Sequence, residues 1–251
     1  MDAGAVVVRT EGLGLTYDGG VRALDDVSLS VARGEIVSLV GPSGCGKSTL
    51  LRLAGGLLQP TEGRLEVRGE AGAARTGFVF QDATLLPWRT VADNVRLPLE
   101  LLRVPRREHD GRIRESLALV GLSDFALARP AQLSGGMRMR VSLVRALITH
   151  PELLLLDEPF GALDDITRTR LNEELLGLWD RQRWTGIFVT HNVYEAVFLS
   201  HRVLVMTPRP GRIVAEIPVE LPFPRTPELR GTAEFARTAE EVARRLRGAA
   251  A

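Results

Sequence analysis

The chain has 251 residues, 45% of them hydrophobic and 25% charged, with 25 Gly and 14 Pro. This composition excludes disordered, collagen-like and coiled-coil proteins and fits one large α/β domain or two small ones. The formal net charge of +1 argues against polyanion binding by bulk electrostatics, and a single cysteine, Cys45, excludes an internal disulfide and a multi-cysteine metal site.

The opening segment MDAGAVVVRTEG has no basic region followed by a long apolar one, so no secretory leader is expected and the cytoplasm is the default. The longest runs free of Lys, Arg, Asp and Glu reach 11 residues, Ile36 to Gly46 being one, against roughly 20 for a membrane-spanning helix. Residues 6–15 and 27–31 read as strands with a turn at Gly19-Gly20, and Glu35 to Val40 reads as a buried strand. There follows Gly41-Pro42-Ser43-Gly44-Cys45-Gly46-Lys47-Ser48-Thr49, which fits the pattern G-x-x-x-x-G-K-[ST], and then a helix to Ala54 that ends near Gly55-Gly56. Such a loop between strand and helix points backbone N–H groups and a helix N-terminus at a phosphate chain. Its glycines let the backbone approach closely, Lys47 reaches the β- and γ-phosphates, and the Ser48 hydroxyl serves Mg²⁺. Of the 32 basic residues 31 are Arg, so Lys47 is the one lysine; a compact ammonium is a different tool from a planar guanidinium. Cys45 sits inside the loop, so bulk on its sulfur is expected to block nucleotide entry.

Residues 64–67 and 77–80 read as short strands, the second ending at Gln81. A helical insert spans about 84–150, with interruptions expected at Pro98 and Pro105 and a long helix over residues 134–149. Leu153 to Leu156 reads as a buried strand, residues 164–183 as helix, and residues 186–190 and 202–206 as strands, giving an α/β protein around a parallel sheet. Asp157 and Glu158 stand at the C-terminal edge of their strand, where ligands of open α/β sheets bind. Asp157 is placed for Mg²⁺, and Glu158, expected to face the other way by strand period, is placed to take a proton from attacking water. An acidic strand end alone is equally a helix cap. The tail ending in Arg244-Arg245-Leu246-Arg247 reads as a solvated amphipathic face and not a nucleic-acid patch.

A phosphate loop alone leaves kinases, GTPases and motors open. Leu133-Ser134-Gly135-Gly136-Met137, about 20 residues before Asp157, resembles the LSGGQ signature of ATP-binding cassette (ABC) ATPases. Ser134 opens a helix with Gly135 and Gly136 in its first turn, a second phosphate-binding N-terminus. The other landmarks follow in family order: Tyr17 matches the aromatic that stacks on adenine, Gln81 the Q-loop residue, Asp164 the D-loop and His191 the switch histidine. The resemblance covers about residues 6–211. It implies a P-loop NTPase fold with an ABC-type antiparallel β subdomain and a helical signature subdomain. It also implies a single ATPase domain over residues 1–251 with a short C-terminal extension from about 212, and two ATP held between two copies of the chain. Glu158, His191 and Gln81 are then the catalytic set, and Ser48, Gln81 and Asp157 the metal set. Tyr17, Gly41 to Thr49 and Ser134 to Gly136 hold ATP. Met137 departs from the Gln of the signature and Gly161 from the Ser of many relatives; Met139 has no account at this level.

Two segments, Phe80 to Val91 with Asn94, and Pro208 to Val214 with Pro224-Arg225, resemble importers of the nitrate, sulfonate and taurine class. That class implies integral membrane permease partners, indirectly a solute-binding protein, and a place on the cytoplasmic face of the membrane. Leu85, Leu86, Pro87 and Trp88 are expected either to dock the membrane subunit or to pack under the helical insert. Another importer, or a non-transport ABC protein, is the alternative reading. A P-loop phosphotransferase has no use for Leu133 to Met137.

Overall fold

Two 11-residue strands, β1 (Val6–Thr16) and β2 (Arg22–Ala32), pair antiparallel around the turn at Tyr17 to Val21 in a computed structural model that describes residues 5–249. The first four residues of the segment read for a leader lie outside the described residues. β1 also pairs antiparallel with β4 (Glu62–Gly69), which carries the two-residue β5 (Gly72–Ala73), so the first sheet runs β2-β1-β4-β5.

The second sheet runs β10-β9-β3-β8-β7-β6. Five of its strands are parallel: β3 (Ile36–Val40), β6 (Thr76–Val79), β7 (Leu153–Asp157), β8 (Thr185–Val189) and β9 (Arg202–Met206). The all-parallel expectation fails at one edge, where β10 (Ile213–Pro218) returns antiparallel to β9 through a tight turn. β3, β7 and β8 are buried at every position, as continuous apolar runs covered on both faces should be. Alternate residues feed two cores. Leu153, Leu155, Val37 and Leu39 join one with the antiparallel sheet and α1 (Lys47–Ala54), while Leu154, Leu156, Ile36 and Val40 join the other with the later helices.

Those helices are α2 (Val91–Leu101), α3 (Arg106–Leu119), α4 (Gly135–Leu147), α5 (Asp165–Gln182), α6 (Val193–Leu199) and α7 (Ala233–Ala249). Pro105 is the N-cap of α3, beyond the end of α2 at Leu101, but Pro98 lies inside α2 without breaking it. Fully buried Asn94 bonds to Leu86, Arg89 and Thr90 and fixes the N-terminal half of α2, and the Leu102 N–H closes the last turn on Pro98. The tail is a helix with the solvated face expected of it and a second, buried face: Arg244, Arg245 and Arg247 are exposed and pair with Glu241 and Glu240, while Phe235, Ala239 and Val242 of α7 are buried. Among the described residues no helix is long and apolar enough to cross a membrane.

The apolar cluster after β6 divides. Leu85 packs on the helical core and Leu86 is tied to Asn94, whereas Trp88 stays 69% exposed. Met139 is a core residue of α4, which supplies the account the sequence lacked.

Candidate nucleotide site

The loop from Gly41 to Gly46 joins β3 to the first residue of α1, Lys47, and its backbone demands glycine. Gly46 has φ +110, and a Cβ there would stand 2.7 Å from the Ala23 carbonyl oxygen. Lys47 is buried, and its Nζ donates to the carbonyls of Gly41 and Pro42 at 2.8 and 2.9 Å. Tyr17, in the β1–β2 turn, is held over the loop by a 3.0 Å hydrogen bond between its hydroxyl and Thr49 Oγ1.

Ser48 Oγ donates to Asp157 Oδ1 at 2.8 Å. Burial at the end of β7 raises the Asp157 pKa, a push countered by the Ser48 hydrogen bond and increased by neighbouring Glu158. A buried carboxylate beside a hydroxyl is a donor pair that a hard divalent cation suits, since the cation offsets the burial.

Glu158 does not continue the strand. β7 ends at Asp157, and Glu158 takes left-handed backbone at φ +45, with its N–H on the Val189 carbonyl at 3.0 Å. That turn, and not strand alternation, separates the two carboxylates. His191, two residues beyond β8, places Nδ1 2.8 Å from Glu158 Oε2. An Nδ1–H donating to the carboxylate fixes the imidazole and leaves the other oxygen able to accept a proton. A Cβ on Gly161 would lie 3.6 Å from Glu158 Oε2 and 3.7 Å from His191 Cε1, so that position flanks the pair.

Tyr17, Ser43 to Thr49, Gln81 and Glu158 line one cleft of about 580 Å³, a size that suits a small-molecule ligand. Arg209 lines it too. Sequence reasoning missed that role, because one arginine among 31 carries no signal until the fold sets it against the loop. Gly41 and Pro42 form the base of the loop under Lys47. Ser134, Gly135 and Gly136 are not brought to this cleft. Ser134 caps α4, accepting from the Met137 N–H at 3.2 Å, and a Cβ on Gly136 would stand 2.8 Å from Thr167 Cγ2 of α5. Asp164 caps α5 in the same way, and the Thr167 N–H holds its carboxyl below the usual range. The Cys45 thiol is 1% exposed and turned under the loop toward Gly41, so a bulky reagent does not reach it from the cleft.

Sequence reasoning also passed over a buried network behind His191. Thr190 Oγ1 donates to Glu195, Asn172 Nδ2 lies 3.4 Å from the same carboxylate, and Arg168 Nε stands 3.9 Å from it. Arg168 also donates to the carbonyls of Phe160 and Leu163, which precede Asp164.

A P-loop cleft on a mixed sheet, an antiparallel side sheet and a helical insert bearing a glycine-rich helix start define an ATP-binding cassette. A sequence profile described as ABC transporter matches residues 24–161, and the chain belongs to that family. It is 47% identical to the taurine import ATP-binding protein TauB of Rhizobium johnstonii over 90% of this chain and 89% of that protein. It is 45% identical to the aliphatic sulfonates import ATP-binding protein SsuB of Bacillus licheniformis over 81% of this chain and 80% of that one. Among solved structures, a dimeric ATP-binding cassette in a post-hydrolysis state, bound to ADP and Pi, aligns with a TM-score of 0.75 at 32% identity, covering 85% of this chain and 99% of its own.

Proposed function

We propose that the chain is the ATP-hydrolysing subunit of a membrane importer for a small anion such as nitrate, a sulfonate or taurine, with residues 1–251 acting as one ATPase unit. The observation that carries the reading is the single cleft joining Lys47, Gln81 and Glu158, in a chain 47% identical to a taurine import ATP-binding protein over nine-tenths of its length. Tyr17 offers its ring to adenine, and Gly41 to Thr49 surround the phosphates. Ser48, Asp157 and Gln81 present oxygen donors for Mg²⁺; when bound, the ion neutralises charge on the phosphate oxygens. Glu158 accepts the proton of the water that attacks the γ-phosphate, and His191 holds the Glu158 carboxylate in place for it. Ser134, Gly135 and Gly136 serve the nucleotide of a second copy of the chain. Exposed Trp88 is the part of the Leu85 to Trp88 segment that meets an integral membrane permease, at the cytoplasmic face of the membrane, with a solute-binding protein acting through that permease.

Glu158→Gln tests the chemistry. It keeps size and hydrogen bonding but cannot take the proton, so MgATP binding is retained while turnover falls by the roughly 10²–10⁴ that general-base help supplies. Turnover above about a tenth of wild type contradicts the assignment, since it lies well outside that range. The transport reading is tested by purifying the chain with its membrane partner in vesicles: ATP-dependent uptake of taurine or an alkanesulfonate supports it, and uptake confined to a sugar or cation overturns it.

A further inference from the structure

The turn between β9 and β10, residues 207–212, lies against the phosphate loop. The Gly211 N–H donates to the Ala23 carbonyl at 2.9 Å, and the Gly211 carbonyl accepts from the Asp25 N–H at 3.1 Å, which seats the turn on β2. Arg212 pairs with Asp25. Thr207 Oγ1 accepts from the Arg212 N–H at 3.0 Å and donates to the Pro210 carbonyl at 3.1 Å, which ties the two ends of the turn together. A Cβ on Gly211 would stand 2.1 Å from the Cys45 carbonyl oxygen, so the backbones of turn and loop touch.

From this seat Arg209 directs Nε and Nη2 at one acceptor, the Gly44 carbonyl, at 3.1 and 3.0 Å. Gly44 has φ +73 and no side chain, so rotation of the peptide that follows it meets little resistance. A trans peptide carries its C=O and N–H on opposite edges. Holding the Gly44 oxygen toward Arg209 therefore turns the Cys45 N–H to the opposite side, where it donates to the Pro42 carbonyl at 3.3 Å, the same oxygen that receives Lys47 Nζ. Were that peptide to rotate, this bond beside Lys47 would be lost.

We propose that Arg209 is a positioning residue of the nucleotide site, a latch that holds the Gly44–Cys45 peptide, with its N–H on the Pro42 carbonyl, in the loop conformation that seats Lys47. The proposal rests on the nucleotide reading given above. A planar guanidinium presents two parallel donors to one side, whereas a lysine ammonium on a flexible stem does not reproduce that fork.

Arg209→Met and Arg209→Lys test it by displacement of a fluorescent nucleotide with MgATP and MgADP, alongside KM, kcat and the thermal midpoint without nucleotide. Both variants should lose about tenfold in affinity for both nucleotides, as expected on losing hydrogen bonds to a charged donor. KM should rise in step while kcat at saturation stays within about twofold, the pattern of lost uniform binding. The thermal midpoint should hold, because Gly211 and Arg212 anchor the turn without Arg209. Wild-type affinity in Arg209→Met overturns the latch. So does full recovery in Arg209→Lys, which would show that a bare charge suffices, or a thermal midpoint that falls in step with affinity, which would show a role in folding alone. A wild-type chain that binds neither nucleotide overturns the nucleotide reading itself and the latch with it.

Discussion

Glu195 is 4% exposed at the first turn of α6, four residues after His191. Burial raises its pKa above the ordinary glutamate range, against the lowering effect of hydrogen bonds from Thr190 and Asn172. Between the ordinary value and the raised one, the folded chain keeps a proton that the unfolded chain has released, so this residue's contribution to stability is lost as pH rises through that window. Glu195→Gln has no such titration. The thermal midpoint of the variant relative to wild type is therefore expected to climb as pH rises above the ordinary glutamate value of about 4.3; parallel curves would contradict the assignment. At Cys45 the expectation is kinetic. The buried thiol should react with a maleimide far more slowly in the native chain than in denaturant, as mass spectrometry of timed samples would show. That Lys47, Ser48, Asp157 and Glu158 come together was legible in the sequence, because a phosphate-loop pattern and an acidic strand end are both expected at the C-terminal edge of one sheet. Glu195, Arg168 and Arg209 were not, since only tertiary packing makes one glutamate buried or sets one arginine against Gly44.

Among the elements, strands with continuous apolar runs were readable within a residue or two, because burial on both faces leaves no polar position to confuse the pattern. Of α7 the solvated helix face was readable, but not the buried one. That stripe is Phe235, Ala239 and Val242, and so few apolar positions among arginines and glutamates give a weak packing signal. The helix nonetheless packs on α6 and β9, where Phe235 stacks against Tyr194 with ring centroids 6.2 Å apart. Phe235→Ala is expected to destabilise the chain by about 3–5 kcal/mol, the range for deleting a buried aromatic, measured by urea unfolding. A loss below about 0.5 kcal/mol, the range of surface substitutions, would show α7 to be peripheral. β10 escaped for another reason: Val214 is 51% exposed and interrupts the alternation of Ile213, Ala215 and Ile217. Pro98 misled because it removes only its own N–H from the ladder: Asn94 pins the N-terminal half of α2 to residues 86–90, and beyond the proline the Leu102 N–H bonds to the Pro98 carbonyl, so the helix continues.

At the scale of the whole molecule, the two segments proposed to hold phosphate, the Lys47 loop and the start of α4, lie at different places. Among the described residues, the cleft at Lys47 is lined from β2 and the turn before it, the phosphate loop, the start of α1, the segments that follow β6 and β7, and the β9–β10 turn, with no contribution from Ser134, Gly135 or Gly136. Those three lie at the exposed start of α4, backed by Leu163 and Thr167. Under the proposed function, two copies arranged head to tail would bring each start of α4 to the other's cleft and complete two sites at once. Lys47→Ala removes the ammonium from one segment, and Ser134→Arg blocks the other. The buried face of α4, with Met139, Leu143 and Val144, keeps that helix in place. Each variant alone should be inactive, because both sites of its dimer are broken in the same way. In an equal mixture half of the dimers pair unlike chains, and each of these has one site with both segments intact, so activity should return to about a quarter of wild type under random closed pairing. Retained activity in either single variant, or a mixture that stays inactive while the chains demonstrably dimerise, would rule out the head-to-tail arrangement.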